Sequence, residues 1–270
     1  MTDRPDKLIA LDLDGTLLAD DNSVSAENLS AIARAQEAGA EVVIVTGRPY
    51  VSAEVIVQRL GLHDTPLVAF NGAVIRMPGY GETLHEELIP ADLAEEVVEE
   101  CVARRLHLQY YLGDTLYVTA CHKWARLYCR RAEMDCRPAG DMRKFRGQRP
   151  IKLLIVDEPP VIEALTPEFQ AHWEDRLYVT PSMDEYLEFM PLGASKGAAL
   201  DWLSAHFGVP RERIMAAGDR SNDLPLLEHA GCPVAMPEGE EALKAIAAFV
   251  PQHQERGVAE GIEWFLLTFA

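Results

Sequence analysis

The sequence has little of what several protein classes require. Its five cysteines, Cys101, Cys121, Cys129, Cys136 and Cys232, are odd in number, and no two are separated by two residues. Zinc ribbons and thiol–disulfide motifs rest on that spacing, so neither is supported. Cys121, Cys129 and Cys136 lie near His107 and His122 in the chain, but their spacings match no zinc pattern. The expectation is reduced, mostly buried thiols. Positive charge is scarce as well: 25 Lys and Arg stand against 43 Asp and Glu, a formal charge of −18. That balance argues against nucleic acid or an anionic membrane as the main partner. No uninterrupted apolar run reaches bilayer length. The stretch Met1–Lys7 is polar and lacks the apolar segment of a signal peptide, and the expected compartment is the cytoplasm. Internal repeats and low-complexity segments are missing too. An acidic chain is still compatible with a phosphorylated substrate, because a metal ion and a few local cations reverse the field within one cleft.

The chain is long enough, at 270 residues and 48% hydrophobic, for one or two domains with a sizeable core. Leu8-Ile9-Ala10-Leu11 reads as a buried strand. Ser25 caps a helix over 26–38 that Gly39 ends. Glu41–Thr46 is a second buried strand, Pro49 opens a helix that stops at Gly61, and Leu67–Phe70 is a third strand closed by Asn71-Gly72. Strand and helix alternate as in a doubly wound α/β fold. Between 83 and 188 the rhythm changes. Alternating strands are expected over 106–112, 115–119, 151–156 and 176–180, with helices near 91–105, 121–133 and 160–170. That pattern predicts an α+β insert with a largely antiparallel sheet. The first rhythm returns after Pro191, with a helix capped by Ser195, a strand over 213–217, a helix after Ser221 and a strand over 233–236. The expected architecture is a Rossmann-like core built from 1–82 and 189–270, interrupted by a cap domain over 83–188.

Asp12-Leu13-Asp14-Gly15-Thr16 follows the first strand. Carboxylates two residues apart leave a strand on one side, and Gly15 lets the backbone turn away. Ligands of open α/β sheets bind at the carboxyl ends of strands. Thr46-Gly47-Arg48, Lys196 beside Gly197, and Gly218-Asp219-Arg220-Ser221-Asn222-Asp223 fall at equivalent places. Each alone is an ordinary turn, a solvated charge or a helix cap. Together they make a site for phosphate and a divalent cation. Asp12 suits a nucleophile that accepts a phosphoryl group, and Asp14 suits the acid that protonates the leaving oxygen and then activates water. Asp12 and Asp219, with the backbone carbonyl of Asp14, suit Mg²⁺. Thr46 and the backbone at Gly47 can donate to phosphate. Lys196, at a helix N-terminus, adds formal positive charge. Asn222 and Asp223 would orient the lysine, the metal's waters or both.

Asp12–Leu17, Thr46-Gly47-Arg48, Asn71-Gly72-Ala73, Ser195-Lys196-Gly197 and Gly218-Asp219-x-x-Asn222-Asp223, in this order over the whole chain, resemble the motifs of the haloacid dehalogenase superfamily. Within it the chain is similar to the Cof-type phosphatases, whose cap lies between the second and third motifs. The resemblance implies a Mg²⁺-dependent phosphatase working through an aspartyl-phosphate. It carries the roles above to Asp12, Asp14, Thr46, Lys196, Asp219, Asn222 and Asp223. It also places Gly47, Arg48, Asn71 and Gly72 near the substrate, and it implies cap movement. Two departures stand out. Arg220 occupies a position where the family often has a small residue, and Met236-Pro237-Glu238-Gly239 replaces the usual Gly-Asn-Ala.

The stretch 123–152 carries ten Lys or Arg and only three acids, Glu133, Asp135 and Asp141. It is either a cleft-facing surface that attracts polyanions or a solvated face paired with acids. Tyr110, Tyr111, Tyr117, Trp124, Tyr128 and Tyr186 read mainly as sheet and core residues, with one or two available to stack on a ring-bearing leaving group. The leading expectation is hydrolysis of a small phosphorylated metabolite, a sugar phosphate or a cofactor phosphate. A phosphotransferase or phosphomutase on the same fold is an alternative, as is a non-catalytic domain binding phosphorylated ligands. The oligomeric state is not encoded in any of these features.

Overall fold

The computed structural model describes residues 4–79 and 81–269. Part of the polar N-terminal stretch, Met1–Asp3, lies outside the described residues. The chain begins β1 (Lys7–Leu11), α1 (Ala26–Glu37), β2 (Ala40–Val45), α2 (Tyr50–Arg59), β3 (Leu67–Ala69), β4 (Val74–Arg76) and β5 (Thr83–Glu86). It continues α3 (Ala91–Arg104), β6 (Leu108–Leu112), β7 (Thr115–Val118), α4 (Lys123–Arg131), β8 (Cys136–Pro138), β9 (Lys152–Val156), α5 (Pro159–Trp173), β10 (Leu177–Met183) and β11 (Tyr186–Pro191). It closes with α6 (Lys196–Phe207), β12 (Ile214–Gly218), α7 (Leu224–His229), β13 (Cys232–Ala235), α8 (Glu241–Ile246) and α9 (Gly257–Thr268). Two compact units result. One comprises the residues up to Gly47, Ala53–His85 and those from Ser195 onward; the other comprises Arg48–Ser52 and Glu86–Ala194.

The first unit holds a seven-stranded sheet in the order β13-β12-β1-β2-β3-β4-β5. Its strands from β13 to β3 run parallel. All five residues of β1 and all five of β12 are buried, as expected of strands covered on both faces. Leu8, Ala10, Val43, Val45, Ile214 and Ala216 pack with Ala199, Leu200 and Leu203 of α6 and Leu226 and Leu227 of α7. The alternate residue Met215 faces Gly261 of α9. This is the expected α/β core with a mainly parallel sheet. Chain order reverses between β1, which continues to β2 on one side, and β12 on the other. That switch point is where an open sheet leaves a crevice at its carboxyl edge.

Asn71-Gly72 does close a hairpin, and the strand returning from it, β4, pairs antiparallel with β3. Asn71 takes a left-handed conformation at φ 53°, which asparagine tolerates better than most residues.

The second unit is built on a six-stranded sheet, β10-β11-β9-β6-β7-β8, antiparallel except for the β7–β8 pair. One face packs α3 and α5 through Val97, Leu108, Tyr110, Leu153, Ile155, Ile162, Phe169, Trp173, Leu187 and Phe189. The alternate positions are more polar: Gln109, Tyr111, Lys152 and Glu188 are all buried. Tyr128 of α4 reaches this face, where its hydroxyl accepts a 2.7 Å hydrogen bond from Tyr111. No helix among the described residues is long and apolar enough to cross a membrane.

Candidate active site

Asp12 is the first residue beyond β1, and its backbone N–H donates to Ala217 O of β12 at 3.1 Å. The ladder thus runs one step past the strand and fixes the carboxylate at the crevice. Asp219 follows β12 directly. Ser195 caps α6, its hydroxyl accepting from Ala198 N at 3.0 Å, a cap that stabilises such a helix by about 1 kcal/mol. Lys196 is therefore the first helical residue, and its side chain is fully buried.

Two acids meet this lysine, and a third stands beside them. Its ammonium donates to Asp12 Oδ1 at 2.6 Å and to Asp223 Oδ1 through a very short contact. Asp223 Oδ2 accepts from the backbone N–H groups of Asp219 at 3.0 Å and Arg220 at 3.2 Å. Asp219 Oδ1 accepts from the Thr16 hydroxyl at 3.1 Å. Carboxylate oxygens of Asp12, Asp219 and Asp223 lie within 4.8 Å of one another. Burial, then the neighbouring charge of Asp223, raises the Asp12 carboxyl well above the usual range, although Lys196 pulls the other way. Burial and Asp223 likewise push Asp219 up to about 6. Burial alone would lower Lys196, but Asp12 and Asp223 outweigh it and hold the ammonium charged.

A hard cation suits this donor set. The oxygens are carboxylate, they converge, and their crowded charge disfavours ionisation until positive charge is supplied. Both Asp223 oxygens are already engaged by donors, so Asp12 and Asp219 are the better ligands. Gly15, at φ 79°, explains how the first loop comes so close: a Cβ there would stand 2.2 Å from Asp219 Oδ2. Members of the haloacid dehalogenase-like family generally use a divalent metal.

The other expected residues divide into those that join this cluster and those that do not. Thr46 is fully buried and its N–H donates to Val68 O at 2.9 Å. Asn71 N donates to Thr46 O at 3.0 Å, and Asn71 Oδ1 accepts from Asn222 Nδ2 at 3.1 Å. A Cβ on Gly47 would come within 2.9 Å of Asn71 Oδ1, and one on Gly72 within 2.2 Å of Ser195 O. The loops after β2, β3 and β12 are thus tied to one another and to the start of α6. The Asp14 side chain is exposed and outside the carboxylate triad. Arg48 is half-buried and belongs to the other unit. Arg220 is exposed, with Nε 3.5 Å from Asp219 Oδ2. The departing loop at 236–239 packs on the acidic loop, Met236 N donating to Gly218 O at 3.0 Å.

Two partners in the site carry roles that the motifs did not reveal. Thr16 belongs to the first motif, yet its hydroxyl serves Asp219, 203 residues away. Gln254 Nε2 donates to Gly15 O at 2.7 Å from near the end of the chain, and no local pattern marks it. Five of the ten cations of the basic stretch pair with acids inside their own unit: Lys123 with Glu158, Arg131 with Glu185, Arg143 with Asp141, Arg146 with Glu95 and Glu99, and Lys152 with Glu188. Tyr110, Tyr111, Tyr128 and Tyr186 are buried. The thiols are all free, but only Cys101 and Cys232 are buried; Cys121 is exposed and Cys129 and Cys136 are half-buried. The expectation of mostly buried thiols fails because α4 and the short edge strand β8 lie at the margin of their sheet.

The sequence model of the haloacid dehalogenase-like hydrolases matches residues 9–262. A Bacillus subtilis 5-amino-6-(5-phospho-D-ribitylamino)uracil phosphatase is 34% identical over 271 residues, covering 96% of this chain and 98% of that protein. A Serratia proteamaculans HMP-PP phosphatase is 30% identical, covering 94% and 91%, and an Escherichia coli pyridoxal phosphate phosphatase is 30% identical, covering 90% and 92%. Among solved structures, a haloacid dehalogenase-like hydrolase from Bacteroides thetaiotaomicron superposes with a TM-score of 0.87 at 27% identity, covering 96% and 98%. A Thermotoga maritima crystal structure gives a TM-score of 0.88 at 29% identity, covering 96% and 97%. With its motifs, its sheet order and its buried acids in agreement, the chain belongs to the haloacid dehalogenase-like hydrolases, and within them to the Cof-type phosphatases.

Proposed function

We propose that this phosphatase hydrolyses small phosphate monoesters, sugar phosphates or cofactor phosphates, through a phosphoryl group carried on Asp12 with Mg²⁺ as cofactor. The observation that carries the reading is the buried Lys196 ammonium shared between Asp12 and Asp223, with Asp219 beside them. Lys196 holds Asp12 Oδ1, which leaves Oδ2 to attack phosphorus. A P–O bond to Asp12 forms as the bond to the leaving oxygen breaks, and Asp14 gives that oxygen its proton. Asp14 then takes a proton from water, whose oxygen attacks phosphorus; inorganic phosphate departs and Asp12 is restored.

Lys196, the Thr46 hydroxyl and the backbone at Gly47 stabilise the charge on the transferring group. Arg48, Asn71, Gly72 and Asn222 complete the phosphate and substrate contacts. Asp223 holds Lys196 and the acidic loop in place. Asp12, Asp219 and the Asp14 carbonyl would hold Mg²⁺, which offsets the combined charge of carboxylate and phosphate when bound. The relatives named for ring-bearing phosphates support a metabolite of that size.

The test is release of inorganic phosphate from a panel of phosphate esters with Mg²⁺ and no added acceptor. Turnover is expected to vanish in Asp12→Asn and with EDTA. Phosphate release that appears only when a second alcohol is supplied would establish a phosphotransferase instead. Undiminished turnover by Asp12→Asn would remove Asp12 as nucleophile.

A further inference from the structure

Outside the site, three cysteines that are separate in sequence come together at the edge of the second sheet. Cys121 precedes α4, whose N-terminus is capped by the His122 ring accepting from Trp124 N at 3.2 Å. Cys136 lies on β8, paired in register with Leu116 of β7. Their Sγ atoms are 3.9 Å apart, which is sulfur–sulfur contact. Cys129, on α4 between them in sequence, lies near enough to help raise the Cys136 thiol.

We propose that Cys121 and Cys136 form an oxidisable pair that closes to a disulfide when a peroxide reaches it. A disulfide bond is about 2.0 Å long, so each sulfur needs to move by roughly 1 Å, within the reach of side-chain rotation. The two thiols are not equivalent. Cys121 is exposed and meets the oxidant first. Cys136 is half-buried, and burial followed by the neighbouring Cys129 and Cys121 thiols pushes it up to about 12, so it stays protonated until a sulfur electrophile is beside it.

In the first step the Cys121 thiolate attacks one peroxide oxygen. The O–O bond breaks, hydroxide leaves and is protonated to water, and sulfenic acid remains on Cys121. In the second step Cys136 sulfur, giving up its proton, attacks the Cys121 sulfur; the S–O bond breaks and a second water departs. The two thiols have lost two electrons and the peroxide has gained them. The bond ties the edge strand β8 to the start of α4 across a 15-residue span. Cys101 and Cys232 are buried and stay out of the reaction.

The experiment treats the whole native enzyme with hydrogen peroxide, quenches it, and counts free thiols in denaturant. Of the five thiols, two are expected to disappear and to return with dithiothreitol, and peptide mapping is expected to join Cys121 to Cys136. Cys129→Ser should still form this bond. Cys136→Ser should instead accumulate sulfenic acid on Cys121, trapped by dimedone. The proposal is overturned if all five thiols survive, if the bond joins Cys129 or two separate chains, or if Cys129→Ser abolishes the 121–136 link.

Discussion

The two units treat buried polarity in opposite ways. In the site-bearing unit the buried polar groups of the carboxylate cluster and its surroundings find partners. Lys196 has Asp12 and Asp223, Asp219 has Thr16, and Asn28 uses both ends of its amide, donating to Glu255 O at 3.2 Å and accepting from Ala259 N at 2.9 Å. In the other unit, Ser52 Oγ, both ring nitrogens of His107, both amide atoms of Gln109, Trp173 Nε1 and Glu188 Oε2 are buried without a partner in the chain. Among the described residues, all such atoms belong to that unit. A buried group left unpaired costs about 1–3 kcal/mol. The acids and lysine of the first unit hold one another in position, as electrostatic catalysis requires. The polar side chains of the second are retained at a cost in stability. Removing a buried, paired polar group is therefore expected to damage chemistry in the first unit, and removing one of the unpaired groups is expected to be tolerated, or even to stabilise, in the second.

The largest effect is expected at Lys196. Lys196→Ala removes the charge that stabilises the transferring phosphoryl group and should lower kcat by about 10²–10³-fold. It also leaves Asp12 and Asp223 buried and facing each other without a counter-charge, a change that typically destabilises by about 3–5 kcal/mol. Adding Asp223→Asn should recover part of the lost stability and none of the activity. Thermal unfolding and steady-state phosphate release, measured on the same preparations, separate the two effects. If the single variant keeps near-native kcat, the lysine is a structural tie and not part of the catalytic field.

The same contrast explains what could be read from the chain alone. The parallel strands of the first unit are legible because they are continuous apolar runs with the chemistry in short motifs at their ends, whereas the short strands β4 and β5 carry no such signal. Leu8–Leu11 and Asp12–Thr16 lie side by side in the sequence, and the fold needs only to bring such pairs to one edge. Strand β11 is hidden in the sequence for the opposite reason. Glu188 interrupts Tyr186-Leu187-Glu188-Phe189-Met190, and a charge in mid-run argues against a buried strand. Its partner is Lys152, 36 residues earlier and 2.8 Å away in space, a pairing that no local pattern discloses. Strand β8 is only three residues long and sits among the glycines and prolines of 138–150. In the site itself, Gln254 and the service of Thr16 to Asp219 are contacts across most of the chain. Short-range spacing cannot report them.

The Lys152–Glu188 pair offers a sharper form of the comparison, because it is an ion pair as buried as the one at Lys196 but has no place in the proposed chemistry. Lys152→Met strands the Glu188 carboxylate in the interior and should cost about 3–5 kcal/mol. The double variant Lys152→Met with Glu188→Leu removes both charges together with the unpaired Glu188 Oε2, and it should lie within about 1 kcal/mol of the parent or above it. Urea denaturation of the parent, both single variants and the double variant completes the cycle. A double variant as unstable as the single ones would mean that the pair stabilises this unit outright.

The smallest expected effect is a pH dependence that belongs to the second unit alone. Burial, and then the charge of His122, lowers His107 from 6.5 to about 3; the two rings are 4.0 Å apart. A depressed value in the folded chain means that, between about 3 and 6.5, the unfolded chain binds a proton that the folded chain refuses. Stability from this residue is thus fully present above about pH 6.5 and declines as the pH falls toward 3. At pH 5 the loss attributable to His107 should be about 2 kcal/mol. Because many carboxylates titrate in the same range, the informative quantity is the difference between the parent and His107→Leu. That difference should already favour the variant at pH 7, where the leucine removes two unpaired nitrogens, and should shift further in its favour by about 2 kcal/mol at pH 5. Urea midpoints that fall in parallel for the two proteins from pH 7 to pH 5 would show that His107 accepts its proton in the folded state, and that the unpaired nitrogens of this unit are not held neutral by burial.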